Sequence, residues 1–439
     1  MSLTLYTLLL RLLMPLALLR LYWRGLRVPA YRERIAERLA CGRSAAPAAD
    51  CWIHAVSVGE VQAAVPVIKH LLAAEPPLGV LVTTTTPTGA QRVRTLLGDR
   101  VTHRYMPFDL PEMIARFLDQ VRPRLVLVME TEIWPNMLDQ CARRAIPVIL
   151  ANARLSERSA RGYRRLGRLT GETLRRFDRI AVQTEAEAGR FAALGADPSR
   201  VRVTGSIKFD QRPAANIRER AEAFRRLWGG ERPVWVAAST HEGEETQLLA
   251  AHRLLRQQVP DALLVLVPRH PERFDRVAGL VQREGLAMVR RSAGMPCGAQ
   301  TAIFLGDSMG ELAAFLAAAQ AAFIGGSLVP VGGHNLLEAA AVGVPAITGP
   351  HVFNFSAIAE LLVDREAAVV VDGPEPLARV LGHWLADAAE RARIGENGRR
   401  VIEENRGALG RLLALIDSRL GQGNADLGSV QEQLAQPPR

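Results

Sequence analysis

From Cys51 onward the chain alternates short β-branched, apolar runs with longer stretches of helical period. WIHAV, GVLVTT, RLVLVM, PVILA, RIAVQ and VRVTG are bounded by glycine, proline and polar turns. Apolar runs of that length between helices predict strands buried on both faces of a parallel sheet. After Ser206 the pattern relaxes into a charged, helix-prone stretch reaching Gly229-Gly230. It then restarts with VWVAAS, ALLVLV, TAIFLG, AAFIGG, PAITG and AAVVV, and residues from about 376 to 420 read as helix throughout. A chain of 439 residues is also too long for a single core. The expectation is therefore an α/β protein with an anchor helix over 1–24 and Rossmann-like domains over 25–205 and 231–420. A linker over 206–230 and a frayed tail over 421–439 complete it. Two doubly wound sheets facing a central cleft would place ligands outside the carboxyl ends of their strands.

The first residues change the picture. LTLYTLLLRLLMPLALLRL, from Leu3 to Leu21, is about long enough to cross a bilayer core. Arg11 near its middle would cost roughly 2.5–3.5 kcal/mol there unless paired. No charged segment precedes the run and no small-residue cleavage site closes it, which argues against a removed signal peptide. Residues 1–40 hold seven arginines against two glutamates, half of a net charge of +10, and residues 154–179 hold nine arginines against three acids. Arginines behind an apolar run suit an anionic lipid surface and keep the rest of the chain cytoplasmic. A buried helix is the bland alternative. Nucleic acid is not expected as a partner, because no zinc-finger, RNP-like or zipper pattern accompanies the charge. Four cysteines without metal-ligand spacing (Cys41, Cys51, Cys141, Cys297) suggest reduced thiols.

Candidate chemistry sits at the strand-to-helix junctions. Glu60, in SVGE after WIHAV, falls at a predicted helix start, where the helix dipole favours a carboxylate that could act as a general base. It could equally be an acid that only complements that dipole. Glu130 opens ETEIWPN directly after RLVLVM. It could steady a developing positive charge or merely cap the next helix, and Glu132 follows closely. In the second half Arg269, in PRHPERF, offers a planar fork suited to phosphate. Ser308 and Glu311 of GDSMGEL read as a capping box, which would leave backbone N–H groups around Met309 and Gly310 facing an anion. Glu338 lies one turn into the helix after GGSLVPVGGHNL, where a carboxylate can meet ribose hydroxyls. HEGEE (His241–Glu245) imitates a metal site, but its acids fall at a predicted helix start, and no metal is expected.

Together these blocks resemble the 3-deoxy-D-manno-octulosonic acid (Kdo) transferases of lipopolysaccharide biosynthesis. The similarity runs through SVGE, TTTTPTG, METEIWPN, ANARLSERSARGY, VTGSIKFD, AASTHEGEE, LVPRHPERF, DSMGEL, GGSLVPVGGHNLLEAA and GPHVFNF, from about residue 52 to 356. The resemblance implies a GT-B fold, CMP-Kdo as donor, a lipid A precursor as acceptor and no cofactor. It implies that Glu60 is the proton acceptor and that Glu130 and Lys208 stabilise the transition state. It places CMP contacts on Pro268, Arg269, Met309, Gly310, Glu311, Asn335, Leu336, Leu337 and Glu338. The family commonly has proline where this chain has Leu336. An inverting, metal-independent transfer on the cytoplasmic face of the inner membrane would follow, with the Arg154–Arg176 stretch binding acceptor phosphates or the membrane, or simply solvated. A nucleotide-sugar epimerase on the same fold and a basic membrane-peripheral binding protein are the competing readings.

Overall fold

A computed structural model describes residues 1–41, 48–210 and 212–421. The chain forms two compact units. One runs to Asp210 and takes in the returning segment from Arg406; the other spans Gln211–Asn405.

Among the described residues the first unit holds seven strands: β1 Cys51–His54, β2 Val80–Thr84, β3 Thr102–Tyr105, β4 Leu125–Met129, β5 Val148–Ala153, β6 Arg179–Val182 and β7 Val201–Val203. Their order is β3-β2-β1-β4-β5-β6-β7, and every pairing is parallel. Alternation supplies the two cores. Cys51, Ile53, Leu125 and Leu127 enter one, while Trp52, Val126 and Val128 enter the other. Strand order reverses between β1 and β4, the point where doubly wound sheets bind ligands.

The second unit repeats the plan with β8 Val234–Thr240, β9 Leu263–Pro268, β10 Met288–Arg290, β11 Ile303–Leu305, β12 Ala321–Ile324, β13 Ala346–Thr348 and β14 Ala368–Val370. The order is β10-β11-β9-β8-β12-β13-β14, again parallel throughout, with its reversal between β8 and β12. Two Rossmann-like α/β units in one chain are the GT-B type of organisation expected above.

Two predicted boundaries need correction. Residues 206–230 are not a linker. Ile207–Asp210 is a 3-10 turn of the first unit, and Ile217–Trp228 is a helix of the second. Trp228 is fully buried, with Phe224, Phe304 and Phe315 around it at centroid distances of 5.5, 5.6 and 6.0 Å. The helix has a strongly charged outer face, and that face is what reads as linker. The last predicted helix of the second domain, Ala408–Leu420, belongs instead to the first unit. Asp210 accepts the Gly407 and Leu409 amides at 2.6 and 2.7 Å, and His70 meets Asp417 at 2.9 Å. Leu409, Leu412, Leu413 and Ile416 complete the core around Ile53 and Val67. Leu412→Ala is therefore expected to destabilise the first unit by about 3 kcal/mol, read from urea unfolding. A cost within experimental error would show that the helix Ala408–Leu420 is not part of this core. The tail predicted after Gly421 lies outside the described residues.

At the other terminus Leu3–Arg27 is one continuous helix with a mean hydropathy of 1.6 over its most apolar window. Among the described residues it is the helix long and apolar enough to cross a membrane.

Candidate active site

In the first unit the carboxyl ends of β1 and β4 bring three acids together. Ser57 caps the helix Val58–Leu72, which puts Glu60 in its first turn. Glu60 accepts hydrogen bonds from the Val56 amide and the Ser57 hydroxyl, both at 2.8 Å. The side chain thus closes the helix start, as the bland reading had it, but it is also buried at 8% exposure. Burial outweighs those hydrogen bonds, and with the nearby charges of Glu132 and Glu130 it pushes the carboxyl up to about 7. A carboxyl poised there changes protonation state near neutral pH, as a general base must.

Glu130 stands immediately after β4 with φ +56°, a left-handed conformation that costs a non-glycine residue on the order of 1 kcal/mol. It does not cap the following helix, whose N-cap is Trp134. Its carboxylate lies between two cations instead, Lys208 Nζ at 3.5 Å and Arg154 Nε at 3.3 Å. Asn152, at the end of β5 and also at positive φ, accepts the Ile207 amide at 3.2 Å and so fixes the turn that carries Lys208. Beside this group the Trp134 indole donates to Glu132 at 2.8 Å, and His54 meets that ring edge-on at 5.5 Å. Burial lowers His54 to about 4, so it is neutral. The structure therefore brings Glu60, Glu130 and Lys208 into one site. Sequence reasoning missed Arg154 and Asn152 as its supports. The available signal was their place in ANAR, at the end of the neighbouring strand.

In the second unit Pro268 ends β9 and Arg269 follows it, its amide bonded to the Thr240 carbonyl at 3.1 Å. Arg269 lies near Glu338, whose carboxyl burial raises and the guanidinium partly lowers. His241 and His334 stack at 5.0 Å, with their Nε2 atoms 2.8 Å apart. Burial, His241 and Arg269 together hold His334 at about 3, so it too is neutral. Asn335 accepts the Leu337 amide at 3.2 Å, while the Leu336 and Leu337 side chains turn into the core. Leu336 has φ −67°, the value proline fixes, so departing from the family's proline leaves the backbone path unchanged.

One sequence reading changes here. Ser308 and Glu311 do not form a capping box on the next helix. Glu311 is itself the N-cap of the short helix Leu312–Ala317, without a side-chain cap bond. Its carboxylate is held by Arg291 Nε and Nη2 at 2.9 and 3.0 Å and by the Ser308 hydroxyl at 2.6 Å. Burial works to raise its pKa, but these partners bring it below the ordinary range. Met309 is exposed and Gly310 has φ +79°. This turn follows β11, the neighbour of β9, and so lies at the same end of the sheet as Arg269.

Glu244 falls at a helix start, as the sequence predicts. It is fully buried at the start of the helix Glu244–Gln258. It accepts the amides of His241, Gly326, Ser327 and Leu328 at 2.9, 2.7, 2.8 and 2.9 Å. One carboxylate thereby joins the turn after β8 to the turn after β12, across the reversal of strand order. Gly325 makes the approach possible, since a Cβ there would stand 2.7 Å from the Ser239 carbonyl. Glu245 pairs in two-pronged fashion with Arg273 at 2.6 and 3.0 Å. Glu244 and Glu245 are thus structural, the third acid of HEGEE, Glu242, pairs with Arg276 at the surface, and among the described residues no group of three or more His, Cys, Asp or Glu side chains could hold a metal ion.

Comparison with known proteins settles the family. Residues 33–211 match the 3-Deoxy-D-manno-octulosonic-acid transferase (kdotransferase) family, and residues 231–401 match Glycosyl transferases group 1. A 3-deoxy-D-manno-octulosonic acid transferase of Haemophilus influenzae is 42% identical over 414 residues, 94% of this chain and 97% of that protein. A transferase of the same name from Bordetella pertussis is 38% identical over 436 residues, 95% of this chain and 99% of that protein. Among solved structures, UDP-GlcNAc 2-epimerase from Neisseria meningitidis aligns with a TM-score of 0.57 at 14% identity, over 85% of this chain and 100% of that one. That last likeness is one of fold alone, and it shows why architecture could not by itself separate an epimerase from a transferase. The sequence relatives do separate them: the chain belongs to the 3-deoxy-D-manno-octulosonic acid transferases, glycosyltransferases of lipopolysaccharide biosynthesis.

Proposed function

We propose that the chain transfers Kdo from CMP-Kdo to a lipid A disaccharide precursor (lipid IVA), in a single inverting displacement that uses no divalent metal. The observation that carries this reading is the buried Glu60 carboxyl, held near neutrality beside Glu130, Lys208 and Arg154. Glu60 takes the proton of an acceptor hydroxyl as that oxygen attacks the anomeric carbon, and the bond to the CMP phosphate breaks. One displacement inverts the centre. The sugar ring gains positive character, which the Glu130 carboxylate is suited to stabilise, with Lys208 and Arg154 fixing its position. In the second unit Arg269 suits the donor phosphate and Glu338 suits ribose hydroxyls. Because Arg291 and Ser308 already occupy the Glu311 side chain, contacts from Met309–Glu311 fall to the backbone. Cations of the protein serve where other transferases use a divalent ion. Arginines following the apolar helix favour the cytoplasmic face of an anionic inner membrane.

Incubating the purified chain with CMP-Kdo, tetra-acylated disaccharide and EDTA tests the reading. Mass spectrometry should find a lipid heavier by one or more Kdo units. An unchanged lipid with CMP-Kdo consumed would point to hydrolysis or epimerisation, and a product formed only without EDTA would overturn metal independence.

Glu130→Gly separates chemistry from scaffold. Relief of the left-handed strain should leave the unfolding midpoint equal or slightly higher, while transfer slows at least about tenfold. A stability loss greater than about 1 kcal/mol would mean that the glutamate is kept for structure.

A further inference from the structure

We propose that the helix Leu3–Arg27 lies along the membrane surface, within the headgroup layer of an anionic bilayer, and does not cross it. The proposal rests on the membrane-anchor reading above and specifies its geometry.

Both ends of the helix are tied to the first unit. At its beginning the Met1 amine donates to the Leu166 carbonyl at 3.3 Å, and the Tyr6 hydroxyl donates to Asp109 at 3.0 Å. Thr7 Oγ1 lies 2.9 Å from Asn136 Oδ1. Asp109 and Asn136 are themselves buried in a network that takes in the Asn136 and Met137 amides at 3.0 and 2.7 Å. Arg11, the residue that spoils a clean span, reaches Glu112 at 3.0 Å. At the far end Gly25 is buried against Arg32, and the next turns are fastened by Arg34 to the His103 carbonyl at 2.6 Å and by Arg38 to the Thr85 carbonyl at 3.0 Å. A spanning helix puts its ends on opposite sides of a hydrocarbon core about 30 Å thick. One folded α/β unit holding both ends would have to sit in that core, where its polar loops have no partners.

The faces of the helix agree. Thr7, Leu10, Met14, Ala17, Leu21 and Gly25, spaced three or four apart, form its less exposed side. Leu8, Leu12, Leu16, Leu19, Trp23 and Leu26, with the same spacing, are each more than half exposed. The second stripe is an apolar face with no protein partner. Its occupant is read from charge: a groove on it is lined by Leu16, Leu19 and Trp23 together with Arg20, Arg24 and Arg27. Leu166, which receives the amino terminus, ends the helix carrying the exposed Arg158, Arg161, Arg164 and Arg165. Leucines and tryptophan beside guanidiniums match acyl chains beneath anionic phosphate, as in helices that lie in the interface.

The test uses the full chain with Ser2→Cys, Cys41→Ser and Cys297→Ser, in spheroplasts treated with a membrane-impermeant maleimide. The thiol introduced at position 2 should stay unlabelled in intact spheroplasts, become labelled after permeabilisation, and fractionate with membranes. Labelling from outside would overturn the in-plane geometry and leave the anchor reading standing; recovery of an active protein in the soluble fraction would overturn both. A second arm measures co-sedimentation with phosphatidylethanolamine–phosphatidylglycerol vesicles. Leu12→Glu/Leu16→Glu, at exposed positions, should bind at least about tenfold more weakly. Equal binding by the variant, or equal binding of the parent chain to phosphatidylcholine vesicles, would contradict an anionic lipid surface as the occupant.

Discussion

Glu60→Gln is expected to unfold later than the parent chain and to transfer almost nothing. The two effects have one cause. Burial raises the Glu60 carboxyl to about 7, so the folded state holds a proton that the unfolded state has already released between the ordinary carboxylate range and neutrality. Where the folded state binds more protons, stability falls as pH rises. Above pH 7 the ionised side chain therefore costs the fold up to about 3 kcal/mol, the equivalent of the shift. The amide carries no charge, and its oxygen can keep one of the two hydrogen bonds at the helix start. At about pH 8 the variant should gain on the order of 2 kcal/mol in urea unfolding, while transfer falls about 10²–10⁴-fold for loss of the base. A variant that is both active and less stable would make Glu60 a cap and nothing more.

Glu244→Ala should give the largest stability loss. The carboxylate satisfies four backbone amides, three of them in the turn after β12, where Gly326 and Ser327 are buried. Its removal leaves those donors without partners and empties the space between β8 and β12, a cost of about 5 kcal/mol. For a unit of this size that corresponds to a thermal midpoint lower by roughly 10–20 °C. Glu244→Gln, which retains an acceptor oxygen, should fall between the two. If binding of CMP-Kdo weakened in the glutamine variant with the midpoint unchanged, Glu244 would belong to the donor site and not to its frame.

The two sheets were largely legible, because buried parallel strands are written as unbroken apolar runs. The two strands without such a run are β3, THRY, and β10, MVR. Both are edge strands with part of their surface in solvent, so polar residues interrupt them. The helix Ile217–Trp228 read as linker for a related reason. Its arginines and glutamates outnumber the three residues it buries, and propensity does not reveal that Trp228 enters an aromatic cluster. The return of Ala408–Leu420 to the first unit depends on Asp210 and His70, contacts across 197 to 347 residues that no local pattern carries.

At the site, position was readable where a glutamate followed a strand, and for Glu60 and Glu130 that sufficed. Glu244 follows a strand in the second unit and reads only as a helix start, because the amides it holds after β12 leave no local signal. What remained unreadable was pairing: that Glu311 is already bound to Arg291, or that Arg154 shares Glu130 with Lys208. Such partners come from different strands, and only the folded sheet brings them together.

The pH dependence of kcat/KM for the parent chain reaches the proposed chemistry most directly. A base with the Glu60 environment predicts a rate that climbs about tenfold per pH unit below neutrality and levels off above about 7, with the limb missing from Glu60→Gln residual activity. A rate that stays flat from about pH 5 to about pH 9, or a limb that persists in the variant, would remove Glu60 from the reaction.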